Sequence, residues 1–194
     1  MANKNDLRVI KNIKNINQAF LELIEKYDYE KITVTEIAER AMINRKTFYL
    51  HYETKDALLN EVVKGALVIM LENTRYSDLI PSEDCHMGSI KNDMFCILKN
   101  ISSEKTLFKL LFTNHEMLEQ TRALLKGRLI DFVIENVTIN KNIPKDLFSI
   151  SVTAVIIEMI RWWLGQEKYS VEETALMFTE LLNNGFTQIV REEC

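Results

Sequence analysis

Thr33-Val34-Thr35-Glu36-Ile37-Ala38-Glu39-Arg40-Ala41-Met42-Ile43-Asn44-Arg45-Lys46-Thr47-Phe48-Tyr49-Leu50-His51-Tyr52 contains two helix starts separated by one tight turn. Thr33 and Glu36 have the spacing of a capping box: the hydroxyl accepts from the Glu36 amide while the carboxylate reaches back to the Thr33 amide. A short helix over 34–40 follows, burying Val34, Ile37, Ala38 and Ala41. Met42-Ile43-Asn44 then turns the chain, and Asn44 is a good N-cap for a helix from 45 to about 51. Two short helices around a tight turn form the pattern of a helix-turn-helix. The first turn of the second helix carries Arg45, Lys46 and Thr47, long or polar donors suited to base edges in a major groove. Phe48 should pack inward. Spacing alone leaves open an ordinary helical hairpin with a solvated charged face.

Upstream, Val9, Ile13, Ile16, Phe20, Leu23 and Ile24 recur at helical spacing, which predicts an amphipathic helix over 6–27 with Lys4, Arg8, Lys11 and Lys14 near its start. Tyr27-Asp28-Tyr29-Glu30-Lys31 breaks it. Downstream, Thr54 is an N-cap and Asp56 sits near the positive end of a fourth, long helix through Leu58, Val62, Leu67, Met70 and Leu71. Tyr49, Thr54 and Lys55 surround the third helix as candidate phosphate contacts. Residues 74–88, with Pro81 and Gly88, read as a linker. Further helices are predicted over 89–101, 103–113, 115–138, 145–166 and 171–191, with Pro144 and the Ser170 to Glu173 capping box marking the last two starts. Gly165 is the candidate end of the first of that pair.

Composition agrees. The 194 residues hold only 5 Gly and 2 Pro, too few to punctuate a sandwich or barrel of short strands, so the chain reads as all-α. A content of 47% hydrophobic residues supports a sizeable core. No uncharged apolar run reaches about 18 residues and no secretory leader is recognisable, so a cytoplasmic protein with no membrane partner is expected. Three cysteines, Cys85, Cys96 and Cys194, suit neither a disulfide framework nor paired zinc ligands. The net charge of −4 divides unevenly, with +2 on residues 1–55 and −6 on the rest. A weakly basic stretch carrying the helix-turn-helix thus precedes an acidic body.

The segment from Thr33 to Tyr52, followed by Lys55-Asp56-Ala57-Leu58, resembles the N-terminal signature of the TetR/AcrR transcriptional regulators. Met42 departs from it, standing where the family usually has Gly; the expectation is a turn whose backbone avoids strain with that side chain present. The resemblance implies a DNA-binding head over 1–53 and a helical regulatory and dimerisation body over 54–194. It implies a homodimer on a palindromic double-stranded operator, released as a repressor is when an effector binds the body. By position it implies base or phosphate contacts from Arg45, Lys46 and Thr47, and backbone contacts or supporting roles for Tyr49, His51 and Lys55, with Thr33 and Asn44 completing the set. Phe108 to Phe112, Ile160 to Leu164 and Tyr169 to Glu173 are similar to a C-terminal domain of Firmicutes members, among them activators of dihydroxyacetone kinase genes.

The body offers its own signals. Segment 147–164 is apolar nearly all round, and Ala175, Phe178, Leu182, Gly185 and Ile189 form a packed seam. Together they suggest a dimer interface through Val155, Met159, Trp163, Phe178, Leu182 and Ile189, the alternative being a large monomer core. The resemblance also implies a ligand cavity, for which Met70, Phe95, Phe108, Phe112, Met159 and Trp162 are plausible lining, though such residues equally suit a plain core. Control by a small molecule and control by a partner protein stay open. An enzyme is disfavoured: Glu83 to His86 is a single Glu-x-x-His spacing, and phosphate loops and nucleophile elbows are absent. Cys85, His86, Cys96 and His115 are the only candidates for a metal or redox cluster, and no cofactor is expected.

Overall fold

The computed structural model describes residues 4–74, 87–136 and 142–189, with side chains over 7–74, 91–129 and 142–183. The helices among them are α1 (Lys4–Ile24), α2 (Val34–Arg40), α3 (Arg45–Tyr49), α4 (Lys55–Met70), α5 (Met87–Ser103), α6 (Lys105–Thr113), α7 (His115–Asn136), α8 (Lys145–Leu164) and α9 (Val171–Ile189), plus a 3₁₀ turn over Tyr29–Lys31. The all-α expectation holds for these residues. Pro81, Glu83, Cys85, His86 and Cys194 lie outside them, as do the side chains of Gly88, Gly185 and Ile189. The expected 74–88 linker is shortened at its far end, where α5 begins at Met87.

The starts of α2 and α9 form as their sequences dictate. Glu36 N donates to Thr33 Oγ1 at 3.2 Å and Thr33 N to Glu36 Oε2 at 2.8 Å. Ser170 and Glu173 repeat the exchange at 2.9 and 3.2 Å. Donation from these amides holds both carboxyls below their ordinary value of 4.5. A depressed carboxyl stabilises the fold above its unfolded pKa and ceases to do so once protonated. Stability should therefore decline as the pH falls below 4.5, and Glu36→Gln should flatten part of that decline in urea midpoints taken on either side of it.

Between α2 and α3 the expectation of an unstrained turn is overturned. Met42 adopts φ 55, the left-handed region that glycine occupies without penalty. The cause is the end of α2: Ile43 N bonds Ala38 O at 2.9 Å and Met42 N bonds Glu39 O at 3.0 Å. This pair of bonds satisfies the last carbonyls of the helix only when the intervening residue is left-handed. Met42 is 91% exposed, so its side chain regains little by burial. Met42→Gly should raise stability by about 0.5–1 kcal/mol, after the extra unfolded-state entropy of glycine. Met42→Val should lower it, and denaturant midpoints read both.

α1 packs on α2 and α2 on α3, with Ile16, Phe20, Ile37 and Phe48 buried between them. Val9, expected on the inward stripe, is exposed. In the body α5 lies along α9, α7 along α8, and α6 against both α7 and α8. α4 contacts α5, α6 and α7, and its buried face of Leu58, Leu59, Val62, Val63, Ala66, Leu67 and Met70 makes the head and body one continuous core. α8 is long and apolar enough to cross a membrane by composition alone. Here its inner face, Ile157, Ile160, Trp163 and Leu164, is buried.

Candidate nucleic-acid interface

α3 has only five residues, too short to persist without help. Asn44 Oδ1 accepts from Lys46 N at 2.9 Å and closes its start. Phe48, fully buried, anchors it, its ring 5.6 Å from Tyr49 and 5.8 Å from Tyr52. Tyr52 is itself tied to α1 by its hydroxyl, which donates to Asn17 Oδ1 at 3.1 Å. With Phe48 inward, Arg45, Lys46 and Tyr49 are exposed and Thr47 and His51 are partly covered. The Arg45 guanidinium lies 6.0 Å from the Tyr49 ring centroid, which orients the cation along the outer face. The Lys46 ammonium has no hydrogen bond or ion pair with other described residues. By contrast Arg40 is drawn to Glu22 at 2.6 Å and Lys31 to Asp28 at 2.7 Å.

Not every nominated residue points outward. Thr33 and Asn44 spend their side-chain oxygens on helix caps. Lys55 occupies the supporting one of its two expected roles. Its Nζ donates to Tyr29 O at 2.6 Å and Ile32 O at 2.8 Å and sits 4.0 Å from the Tyr29 ring centroid. The Tyr29 hydroxyl in turn donates to Asp56 Oδ1. Burial, that hydrogen bond and the negative charges of Asp56 and Glu116 hold the phenol well above its ordinary 10.0, so it remains a donor throughout the physiological range. Sequence reading missed Tyr29 and Asp56 as partners, because nothing local pairs residues 27 positions apart. Lys55→Met keeps the apolar stem but strands Ile32 O and leaves Tyr29 O only its bond from Ile32 N at 3.1 Å, and should cost about 1–3 kcal/mol of stability. If Lys55 acts only as a support, the salt dependence of binding to a duplex should keep its slope, which titrations at several salt concentrations would check.

The body residues also sort differently from the expectation. Phe108 and Phe112 are fully buried core and Phe95 is partly covered. Met159 and Trp162 line an outward groove of about 630 Å³ with Ala154, Val155, Glu158, Met177, Phe178 and Leu181. Only Met70 of the six borders an internal cavity, about 40 Å³, with Leu71, Ile97, Leu125, Leu129, Val152, Thr153 and Ile156. The six thus do not enclose one pocket. Trp163, assigned to the interface, is 8% exposed and packs inward, whereas its neighbour Trp162 is 43% exposed. Ala175 and Phe178 are buried too, because the α9 seam faces α5 within the protomer. Cys96 is partly covered and His115 exposed; among the described residues no three His, Cys, Asp or Glu side chains gather as metal ligands.

Comparison with known proteins bears on this head. The profile of bacterial regulatory proteins of the tetR family matches residues 16–62, from the buried half of α1 into α4. Over those residues the chain resembles the tetR family. YxbF, an uncharacterised HTH-type transcriptional regulator of Bacillus subtilis, is 33% identical over 69 residues, 35% of this chain and 18% of that one. DhaS, the HTH-type dhaKLM operon transcriptional activator of Lactococcus lactis, is 25% identical over 121 residues, 62% of this chain and 59% of that one. The chain thus spans less than two thirds of the length of these relatives. A TetR transcriptional regulator from Streptococcus agalactiae shares the fold, with a TM-score of 0.64 at 24% identity, covering 92% of this chain and 97% of that one.

Proposed function

We propose that this protein is a cytoplasmic, homodimeric transcriptional regulator of the tetR family, not an enzyme, whose α3 enters the major groove of double-stranded DNA. The observation that carries the reading is the presentation of α3: capped by Asn44, anchored by Phe48, and facing outward with Arg45, Lys46 and Tyr49. Phosphate contacts from Tyr49 and His51 would set its register, while Arg45, Lys46 and Thr47 reach base edges. A net charge of +2 over residues 1–55 is weakly attractive by itself, so two heads on one operator are needed for useful affinity. Two recognition helices about 34–36 Å apart would match successive major grooves.

The second copy would seat on the α8–α9 groove. Val155, Met159 and Trp162 from α8 and Met177 and Leu181 from α9 give it an almost wholly apolar floor, the kind of surface a symmetric partner covers. Regulation would reach the head through α4, since the internal cavity touches its end at Met70 and Leu71. At about 40 Å³ that cavity holds a few waters at most. An effector there must push α4, α7 and α8 apart, and full release of operator needs roughly 5 kcal/mol of preference for the opened form. The same small volume favours a second reading, in which a bound partner protein moves α4 from outside.

Replacing Lys46 and Tyr49 together by Ala should reduce operator affinity at least tenfold, since each lost base or phosphate contact is worth about 1–3 kcal/mol. Dimer mass and helical content should be unchanged. Undiminished sequence-specific binding would remove α3 from the site. Val155→Asp should yield monomers in analytical ultracentrifugation, and a dimer of unaltered strength would place the interface elsewhere.

A further inference from the structure

We propose that Leu50 is a specificity-determining residue that reads the 5-methyl group of a thymine; this rests on the reading of α3 as the groove-entering helix. Leu50 N bonds Lys46 O at 3.1 Å and its backbone is right-handed helical, at φ −72 and ψ −21. It therefore extends the helical turn of α3. At about 100° per residue, Lys46 and Leu50 fall about 160° and 200° around the axis from Phe48. They form the ridge diametrically opposite the buried anchor, the line that enters furthest into a groove.

Leu50 is 80% exposed on that ridge. A single exposed leucine is ordinary; its position beside Lys46 is what carries the inference. Met42 is more exposed, but it lies in the turn and borders a cleft with Asn15, Gln18 and Glu22 of α1. Leu50 has no donor or acceptor to offer phosphates or the polar edges of guanine, cytosine and adenine. The apolar feature of the major-groove floor is the thymine methyl. Lys46, one turn back, would hold the adjacent polar base edge or phosphate, so the ridge reads a polar and an apolar feature side by side.

The test begins by enriching a duplex from a random pool with the full-length dimer. Failure to enrich any sequence overturns the DNA-reading function and this inference with it. Given an enriched operator, each thymine of the half-site is replaced in turn by deoxyuridine, in both halves symmetrically, which removes only the methyl. Fluorescence anisotropy should show that one position weakens wild-type binding by about fourfold per half-site, the worth of one buried methyl. Leu50→Ala should abolish sensitivity at that position alone, with dimer mass and circular dichroism unchanged. Leu50→Met, which retains apolar reach, should restore part of it. If no thymine methyl matters to the wild type, or if Leu50→Ala keeps the same sensitivity, the inference fails while the reading of α3 stands.

Discussion

The Lys55 ammonium, held on two carbonyls of the loop before α2, is the constraint on which the placement of the head depends. Tyr29 O also accepts from Ile32 N at 3.1 Å, but Ile32 O has the ammonium as its donor at 2.8 Å, and a carbonyl left unpaired away from water is costly. Lys55 supplies both bonds from the first residue of α4, and the Tyr29 hydroxyl returns one to Asp56 on the same turn. At the other end of α4, Asn100 Nδ2 of α5 donates to Met70 O at 3.3 Å and Glu72 O at 2.9 Å. The helix is thus a rod fastened to the head at its start and to the body at its finish. Because its flank is buried in the shared core, the rod cannot bend cheaply; a push at Met70 must appear as rotation or translation at Lys55.

The local parts of this arrangement were legible in the sequence. Both capping boxes, the bounds of α2, the Asn44 cap and the inward Phe48 are decided by residues two to four positions apart, the range over which sequence pattern and structure share one period. The comparisons agree with the helical, DNA-reading class expected from that stretch. The clamp was not legible, since it joins side chains 26 and 27 residues apart. Met42 was misjudged for a different reason: the bonding at the end of α2 outweighs the preference of a side chain for negative φ.

The faces of α8 escaped for a third reason. A periodic stripe has a phase, and a helix apolar nearly all round has none. Trp162 and Trp163 differ by about 100° around the axis, enough to place one outside and one inside, yet identical residue types carry no information about which. The internal cavity is hidden similarly. Its lining includes Leu125, Val152 and Ile156, which in sequence are indistinguishable from residues that pack without a gap.

α8 is also where the cavity and the outer groove meet. Val152, Thr153 and Ile156 border the internal cavity, while Ala154, Val155 and Met159 floor the outer groove. One turn of helix is therefore common to both. Thr153 satisfies its hydroxyl within the helix, donating to Ser149 O at 2.7 Å, so this turn makes no polar demand on anything entering the cavity and offers it an apolar wall. Opening the cavity must displace one or more of its walls, α4, α5, α7 and α8, of which α4 carries the head and α8 the groove. Close packing makes such displacements discrete rather than graded. If the groove is covered by a second copy, α8 becomes the stiffer wall, and expansion of the cavity is directed onto the others, α4 among them. Dimerisation then does more than double the heads: it decides which helices move.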